Sequence, residues 1–455
     1  MIRRKIIDEM LDWKKRGAEK PLIVRGARQI GKTYVIKQFG LNNYSNVVSL
    51  NLEKKEERDI FEQDFDLPMT IELIELNKGI KFIPNNTLLF IDEIQYSPKA
   101  MMKLRYFYED YPEYDVIAAG SLLEVTMKQS GFSFPVGRVE YAYMYPVTFQ
   151  EYLTSYQKMY LEKILAIKNP EDISSGVHDL ILKFYYEFLA IGSMPEAIAK
   201  FAKTKSYIDV NKIYNNIFNG FIDDVDKYSS ETKGKYIQFV LNHSAENSGQ
   251  LIKYENFANS NFKSREMREA MEVLENAMIL NEIPATNSIN IPILKNYKKS
   301  KKLISVDFGM MNYKLGLSEE LLQMKSLNDC YRGQLAEQVV GQELLSLFQK
   351  DKIAYWYRDA KNSSAEVDFI IQHKLHLIPI EVKSGKKGRL RSLQFFMNQS
   401  KEKLAFRIYS GNYRVEEVEY LDKDGTYKLI SLPFFLLFRI EEIFDHLIKE
   451  AEYDK

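Results

Sequence analysis

The sequence predicts an α/β protein, with a parallel-sheet domain at the N-terminus, a largely helical middle and a second α/β domain at the C-terminus. Three observations carry this reading. A glycine-rich loop, residues 26–33, stands between an apolar run and a helical pattern. A second apolar run, 88–91, ends in the paired carboxylates Asp92 and Glu93. Far downstream, Glu337, Asp368, Glu381 and Lys383 follow one another on one helical pattern and two strand patterns joined by a tight turn.

Composition bounds the answer first. The 455 residues are 45% hydrophobic and 28% charged, a normal globular balance. Length alone suggests roughly two to four domains. We place them at about 1–155, 156–230, 231–325 and 326–455. Lys plus Arg equals Asp plus Glu at 63 each, so no global basic field announces nucleic acid; such a partner would be met by a local patch or through metal ions. The one cysteine, Cys330, rules out an intrachain disulfide framework, suits a reducing compartment and reads as a filler of a core gap. With the five histidines it forms no zinc spacing. Residues 1–17 read as a charged amphipathic helix rather than a secretory leader, and the apolar run 429–440 is short and broken by Pro433. A cytoplasmic protein without a membrane partner is expected.

The loop is the most specific motif. Gly26, Gly31, Lys32 and Thr33 occupy the fixed places of G-x-x-x-x-G-K-[ST]. Leu22, Ile23 and Val24 before it read as a buried parallel strand, and the helix starting at once after it presents backbone N–H groups to an anion. In this pattern Lys32 reaches the β- and γ-phosphates of a nucleotide, and the Thr33 hydroxyl binds Mg²⁺. Asp92 and Glu93 sit at the carboxyl end of their strand, where ligands lie in an open parallel sheet. Two adjacent carboxylates are costly there without a compensating cation, which Mg²⁺·ATP supplies. Asp92 would then hold the metal through water and Glu93 polarise the attacking water.

Two more residues are candidates in this domain. Ser121 ends the strand 115–120, where its hydroxyl is either a helix cap or a hydrogen-bond partner of the γ-phosphate and the attacking water. Arg138 lies in an aromatic, apolar stretch and is either a surface cation or an arginine finger, acting on its own chain or on a neighbour's; the second case requires an oligomer.

The set GARQIGKT, LLFIDEIQ, AAGSLLE and VGRVEYAYMYPVTFQEYL resembles the N-terminal domain of a bacterial and archaeal family of AAA-type ATPases. The tail resembles the domain of unknown function that ends those proteins. That resemblance implies ATP binding by residues 26–33, Gln29 and Ile30 included, with Asp92 and Glu93 as the hydrolytic pair; it implies no substrate. The run IGSMPEAI, 191–198, departs from the usual double glycine by having Ser193.

Residues 156–230 read as a helical lid over the nucleotide. From about Thr232 the order helix, turn, short helix, longer helix and a two-stranded wing is the winged-helix pattern, with Ser264 as a cap and Met267, Met271, Leu274 and Met278 on the apolar side of the third helix. Lys263, Arg265 and Arg268 on that helix are offset by Glu266, Glu269, Glu272 and Glu275, so a structural or protein-contact role fits it better than duplex binding. The lysine run 295–302 reads as a solvated hairpin tip or a nucleic-acid contact.

In the last domain Ala336, Val339, Val340 and Leu344 mark a buried stripe with Glu337 at its border. The segments 366–372 and 375–383 read as strands around a turn near His373 and Lys374. Alternation puts Glu381 and Lys383 on one face, and a turn of two or four residues puts Asp368 there as well. Such a cluster suits one or two Mg²⁺ ions with Lys383 orienting or deprotonating water. The order Glu, Asp, Glu-x-Lys resembles the PD-(D/E)XK nuclease superfamily, by which Gln394 would be an accessory polar residue. Pro379 is expected at an edge or a bulge. Two functions follow as expectations: an ATPase controlling a nuclease-like domain that acts on DNA or RNA, or a nucleotide-switched protein whose inactive terminal domain recognises a protein partner.

Overall fold

A computed structural model describes residues 2–121, 137–166, 173–228, 231–317, 333–359, 365–385 and 390–453. Cys330 lies outside them. The chain forms two compact units, one of Met1–Val147, Gly220–Gly234 and Met271–Ile279, the other of Thr148–Asn219, Lys235–Ala270 and Leu280–Lys455. Among the described residues no helix is long and apolar enough to cross a membrane.

The first unit runs α1 (Ile6–Lys15), β1 (Leu22–Arg25), α2 (Lys32–Asn43), β2 (Asn46–Asn51), α3 (Lys55–Glu62), α4 (Leu67–Lys78), β3 (Thr87–Asp92), α5 (Pro98–Asp110), β4 (Asp115–Gly120) and β5 (Glu140–Tyr143). Its strands make one parallel sheet in the order β2-β3-β4-β1-β5. Helices cover both faces, so β3 and β4 are buried at every position, as their continuous apolar runs require. Asp66 caps α4 by accepting from Met69 N, and Ser97 caps α5 by accepting from Ala100 N, each with proline in the first turn. The order matters for chemistry: Gly120 pairs with Arg25, and Asp92 ends the next strand, so residues 26, 92 and 121 meet at one edge of the sheet.

The second unit begins with α6 (Phe149–Tyr156), α7 (Lys158–Ala166), α8 (Ser175–Ile191) and α9 (Pro195–Thr204). Next come α10 (Tyr207–Tyr228), α11 (Glu231–Asn247), β6 (Leu251–Ile252) and α12 (Ser264–Asn276), the three helices each shared between the units by sequence. The strands β7 (Leu280–Ile283), β8 (Ala285–Thr286), β9 (Lys295–Asn296) and β10 (Lys301–Ser305) follow. A small sheet has the order β6-β10-β7. Beyond β7 and before β10 the expected wing changes sheets: β8 pairs with β9 and, in parallel, with β11 (Ile353–Tyr357). The chain continues as α13 (Phe308–Leu315) and α14 (Gln334–Leu347) before β11, then β12 (Glu366–His373), β13 (His376–Val382), α15 (Arg391–Gln399), β14 (Leu404–Tyr409), β15 (Arg414–Glu419), β16 (Thr426–Pro433) and α16 (Ile440–Tyr453). The large sheet is β15-β16-β14-β13-β12-β11-β8-β9.

Pro379 corrects an expectation here. It lies in β13, an interior strand, rather than at an edge. The strand tolerates it because pairing with β14 begins only at Ile380, leaving the missing N–H outside that ladder. The unusual Ser193 also finds a physical role. Its backbone N–H donates to the fully buried Asp307 at 2.7 Å, its hydroxyl donates to the same carboxylate, and Gln342 Nε2 donates to that hydroxyl at 2.7 Å. Next to it Gly192 packs against Gly309 and the Tyr214 hydroxyl so closely that a Cβ on either glycine would overlap the tyrosine.

Candidate functional site

The phosphate loop is set by three devices. Gly31 takes φ +92° at the start of α2. A Cβ on Gly26 would run into the Met144 carbonyl, so only glycine lets β1 turn there. Arg4 clamps the loop from outside: its guanidinium donates to the Ile30 carbonyl at 2.8 Å and to the Tyr145 carbonyl. Inside the loop Lys32 Nζ donates to the carbonyls of Gly26 at 2.8 Å and Ala27 at 2.7 Å. Gln29 is exposed at the tip, at φ +62°, and Ile30 is fully buried. Arg28 pairs with Asp224 of α10, within the same unit.

Burial pushes the Lys32 ammonium down to about 8, against the pull of Glu93 and Asp92. A polyphosphate beside it would restore the charged form, and nucleotide binding would then take up a proton once the pH passes about 8. ATP affinity is therefore expected to fall roughly tenfold between about pH 7 and about pH 9. Calorimetric titrations at those two values check this, and equal affinities would contradict it.

The carboxylates stand where the sheet order puts them. Thr33 Oγ1 donates to Asp92 Oδ2 at 2.7 Å. Burial raises the Asp92 pKa, with Glu93 adding to the rise and Thr33 opposing it. Glu93 has a left-handed backbone, φ +52°, and its side chain accepts from the Gln95 amide. Ser121 is buried, and among the described residues its hydroxyl has no hydrogen-bond partner. An orphaned hydroxyl beside the loop fits a site that receives phosphate oxygens or water there. Residues 26–33, 92, 93 and 121 thus fit Mg²⁺·ATP in donor set and placement.

Arg138 does not join them. It precedes Glu140, which pairs with Leu22 at the amino end of β1, whereas the loop follows Arg25 at the carboxyl end. Four strand residues separate the two edges by ~13 Å. Its guanidinium instead pairs with Glu109 of α5 at 2.9 Å. A finger role on its own chain is corrected by this placement.

The C-terminal residues converge, around an unexpected centre. His373 and His376 pair across a two-residue turn, so Phe369 faces Ile380 and Asp368 falls on the Glu381 face. Asp368 Oδ2 accepts from Val382 N at 2.7 Å, and Lys383 Nζ donates to Glu381 Oε1 at 2.7 Å. The cation in contact with Glu337, Glu366 and Asp368 is not Lys383, which pairs with Glu381, but Lys302 of β10. It is 1% exposed, and its Nζ lies 2.6 Å from Glu337, 3.2 Å from Glu366 and 3.4 Å from Asp368. Burial alone would lower its pKa; the three carboxylates more than offset this and hold it charged. Glu337 and Glu381 are raised by burial and by Asp368. Among the described residues Glu381 Oε2 is buried without a partner, and Gln394 on α15 enters none of these contacts. Among the described residues no group of three or more acidic, histidine or cysteine side chains is placed to hold a metal ion. The reading of Lys302 as part of a solvated hairpin tip is corrected: alternation along β10 sends it inward.

Sequence reasoning missed Arg4, Gln95, Asp224, Lys302 and Glu366. Only Glu366 carried a usable signal, since it shares the Asp368 face of the same strand.

Comparison with known proteins agrees with this architecture. Residues 18–153 match an AAA domain, residues 182–321 a domain of unknown function (DUF8612) and residues 332–435 a second domain of unknown function (DUF4143). The N-terminal part is accordingly an AAA-type P-loop ATPase domain. Among solved structures the chain is similar to a Walker-type ATPase of Pyrococcus abyssi, at 11% identity over 69% of this chain and 96% of that one, TM-score 0.44. It is also similar to the ORC2 protein of Aeropyrum pernix, at 13% identity over 70% and 92%, TM-score 0.29. A third is the RuvB Holliday junction branch migration motor of Thermotoga maritima, at 14% identity over 65% and 93%, TM-score 0.28. The domain match and the sheet order, not these distant likenesses, carry the assignment. No curated protein matches the chain.

Proposed function

We propose that the chain binds and hydrolyses ATP with Mg²⁺ at residues 26–33, 92, 93 and 121, and that turnover acts on a C-terminal domain that does not itself cut nucleic acid. The observation behind the first half is the Thr33–Asp92 hydrogen bond at 2.7 Å, which joins the loop to the acidic strand end in the arrangement a Mg²⁺-bound nucleotide requires. Bound Mg²⁺ would supply the positive charge that lets Asp92 and Glu93 stay ionised side by side. Loop N–H groups bind the phosphates, and Lys32 exchanges its two carbonyl partners for phosphate oxygens. Glu93, steadied by Gln95, takes the proton from the attacking water, while Ser121 orients that water or the γ-phosphate. A finger role for Arg138 would belong to a neighbouring copy's site and needs an oligomer.

The second half rests on Lys302. A buried ammonium in contact with Glu337, Glu366 and Asp368 already stands among the carboxylates where a nuclease would place its metal, so the residues present do not fit catalytic Mg²⁺ there. This favours a nucleotide-switched protein over an ATP-controlled nuclease. Purified protein given ATP with Mg²⁺ or Mn²⁺ is expected to release phosphate while leaving DNA and RNA intact. Nicking that disappears in Glu381→Ala would overturn the second half; no phosphate release, or release undiminished by chelating the metal, would overturn the first.

A further inference from the structure

The lysine-rich hairpin borders a cleft of about 250 Å³ that neither the nucleotide site nor the carboxylate cluster uses. Three stretches of the second unit line it: residues 252–255 after β6, Ser264 at the start of α12, and residues 297–301 leading into β10. Alternation divides β10 between two tasks, with Lys301 lining the cleft and Lys302 on the carboxylates. Lys301 is neutralised by Glu282 at 2.6 Å, and Glu255 also stands in the wall. Three other ammoniums remain. Lys253, Lys298 and Lys299 are exposed and, among the described residues, form no ion pair; Lys299 lies over the Tyr357 ring at 4.8 Å.

Unpaired like charges around one concavity repel, and an anion there relieves the repulsion. Tyr297 is 68% exposed and has no ring partner among the described residues, an aromatic face beside cations. Cations tracking a backbone next to an open aromatic ring are the chemistry of single-stranded nucleic acid, in which bases are free to stack. A duplex fits less well, since α12 would meet it with Glu266, Glu269, Glu272 and Glu275.

We propose that this cleft binds single-stranded nucleic acid, with backbone phosphates on Lys253, Lys298 and Lys299 and a base stacked on Tyr297. The proposal does not rest on the ATPase reading, and phosphate release by the same variants keeps the two apart. The test is fluorescence anisotropy of a labelled single-stranded oligonucleotide of about 20 nucleotides with the full chain. Neutralising about three phosphates gives a slope near −2 for log affinity against log salt. The Lys253→Glu/Lys298→Glu variant should bind at least about tenfold more weakly with a shallower slope, and Tyr297→Ala about tenfold more weakly with the slope unchanged. Thermal melting and ATP turnover at the wild-type level in these variants show that the fold survives. No binding by the wild type, equal affinity for a duplex of the same length, or unchanged binding by the charge-reversal variant overturns the proposal. So does displacement by pyrophosphate with no effect of Tyr297→Ala, which would mark a small-anion site.

Discussion

Replacing Lys302 by methionine is expected to destabilise the second unit by about 3–5 kcal/mol, the cost of leaving a buried ion network without its cation. The side chain is 1% exposed and stands within 3.4 Å of three carboxylates, so water cannot take over its role. Methionine keeps the volume and removes only the charge. The pH dependence identifies the cause. Glu337 and Glu366 already have raised pKa values in the presence of Lys302, chiefly through burial, and losing the ammonium raises them further. A carboxyl group whose pKa is higher folded than unfolded binds protons preferentially in the folded state, so it favours folding at low pH and disfavours it as the pH rises. The deficit of Lys302→Met should therefore be largest above neutrality and shrink toward about pH 5. Glu337→Gln in the same background should recover part of the loss. Urea unfolding of both variants at several pH values measures this, and a deficit below about 1 kcal/mol at all of them would mean that the lysine is not the counterion.

Glu93→Gln is expected to bind ATP normally and to hydrolyse it roughly 100- to 10,000-fold more slowly, the range a positioned general base contributes. The amide preserves size and shape but cannot accept the proton. Gln95 should behave differently. It holds Glu93 without touching the reacting atoms, so Gln95→Ala should lower turnover less than Glu93→Gln does, with the loss in kcat and ATP affinity unchanged, whereas a merely structural loss would weaken both. Single-turnover hydrolysis with bound ATP followed separately distinguishes these outcomes. Loss of ATP binding in Glu93→Gln would show that the residue belongs to the loop's architecture instead.

Legibility followed locality. The phosphate loop was readable because its requirements lie within eight consecutive residues: a strand end, glycine conformations and a helix start. The shared face of Asp368 and Glu381 was readable because alternation and a short turn define it, and Glu337 because it borders the buried stripe of its helix. Lys302 was not, because it lies 35 residues before Glu337 in a run that looks like any solvated lysine cluster. Only the pairing of β10 with β7 and β6 turns that side chain inward. Arg138 failed for a related reason: its proximity to a motif says nothing about which edge of the sheet a strand enters from, and β5 enters from the edge opposite the phosphate loop. Pro379 misled because whether a strand is interior depends on its neighbours, and here the ladder begins one residue later.

The central claim is that residues 26–33 hold a nucleotide through Lys32. Its most direct test is titration of a fluorescent ATP analogue with Mg²⁺ into wild type and Lys32→Ala at neutral pH. Saturable binding by the wild type and none by the variant at the same concentrations is the predicted result. Wild-type affinity in Lys32→Ala would contradict the account.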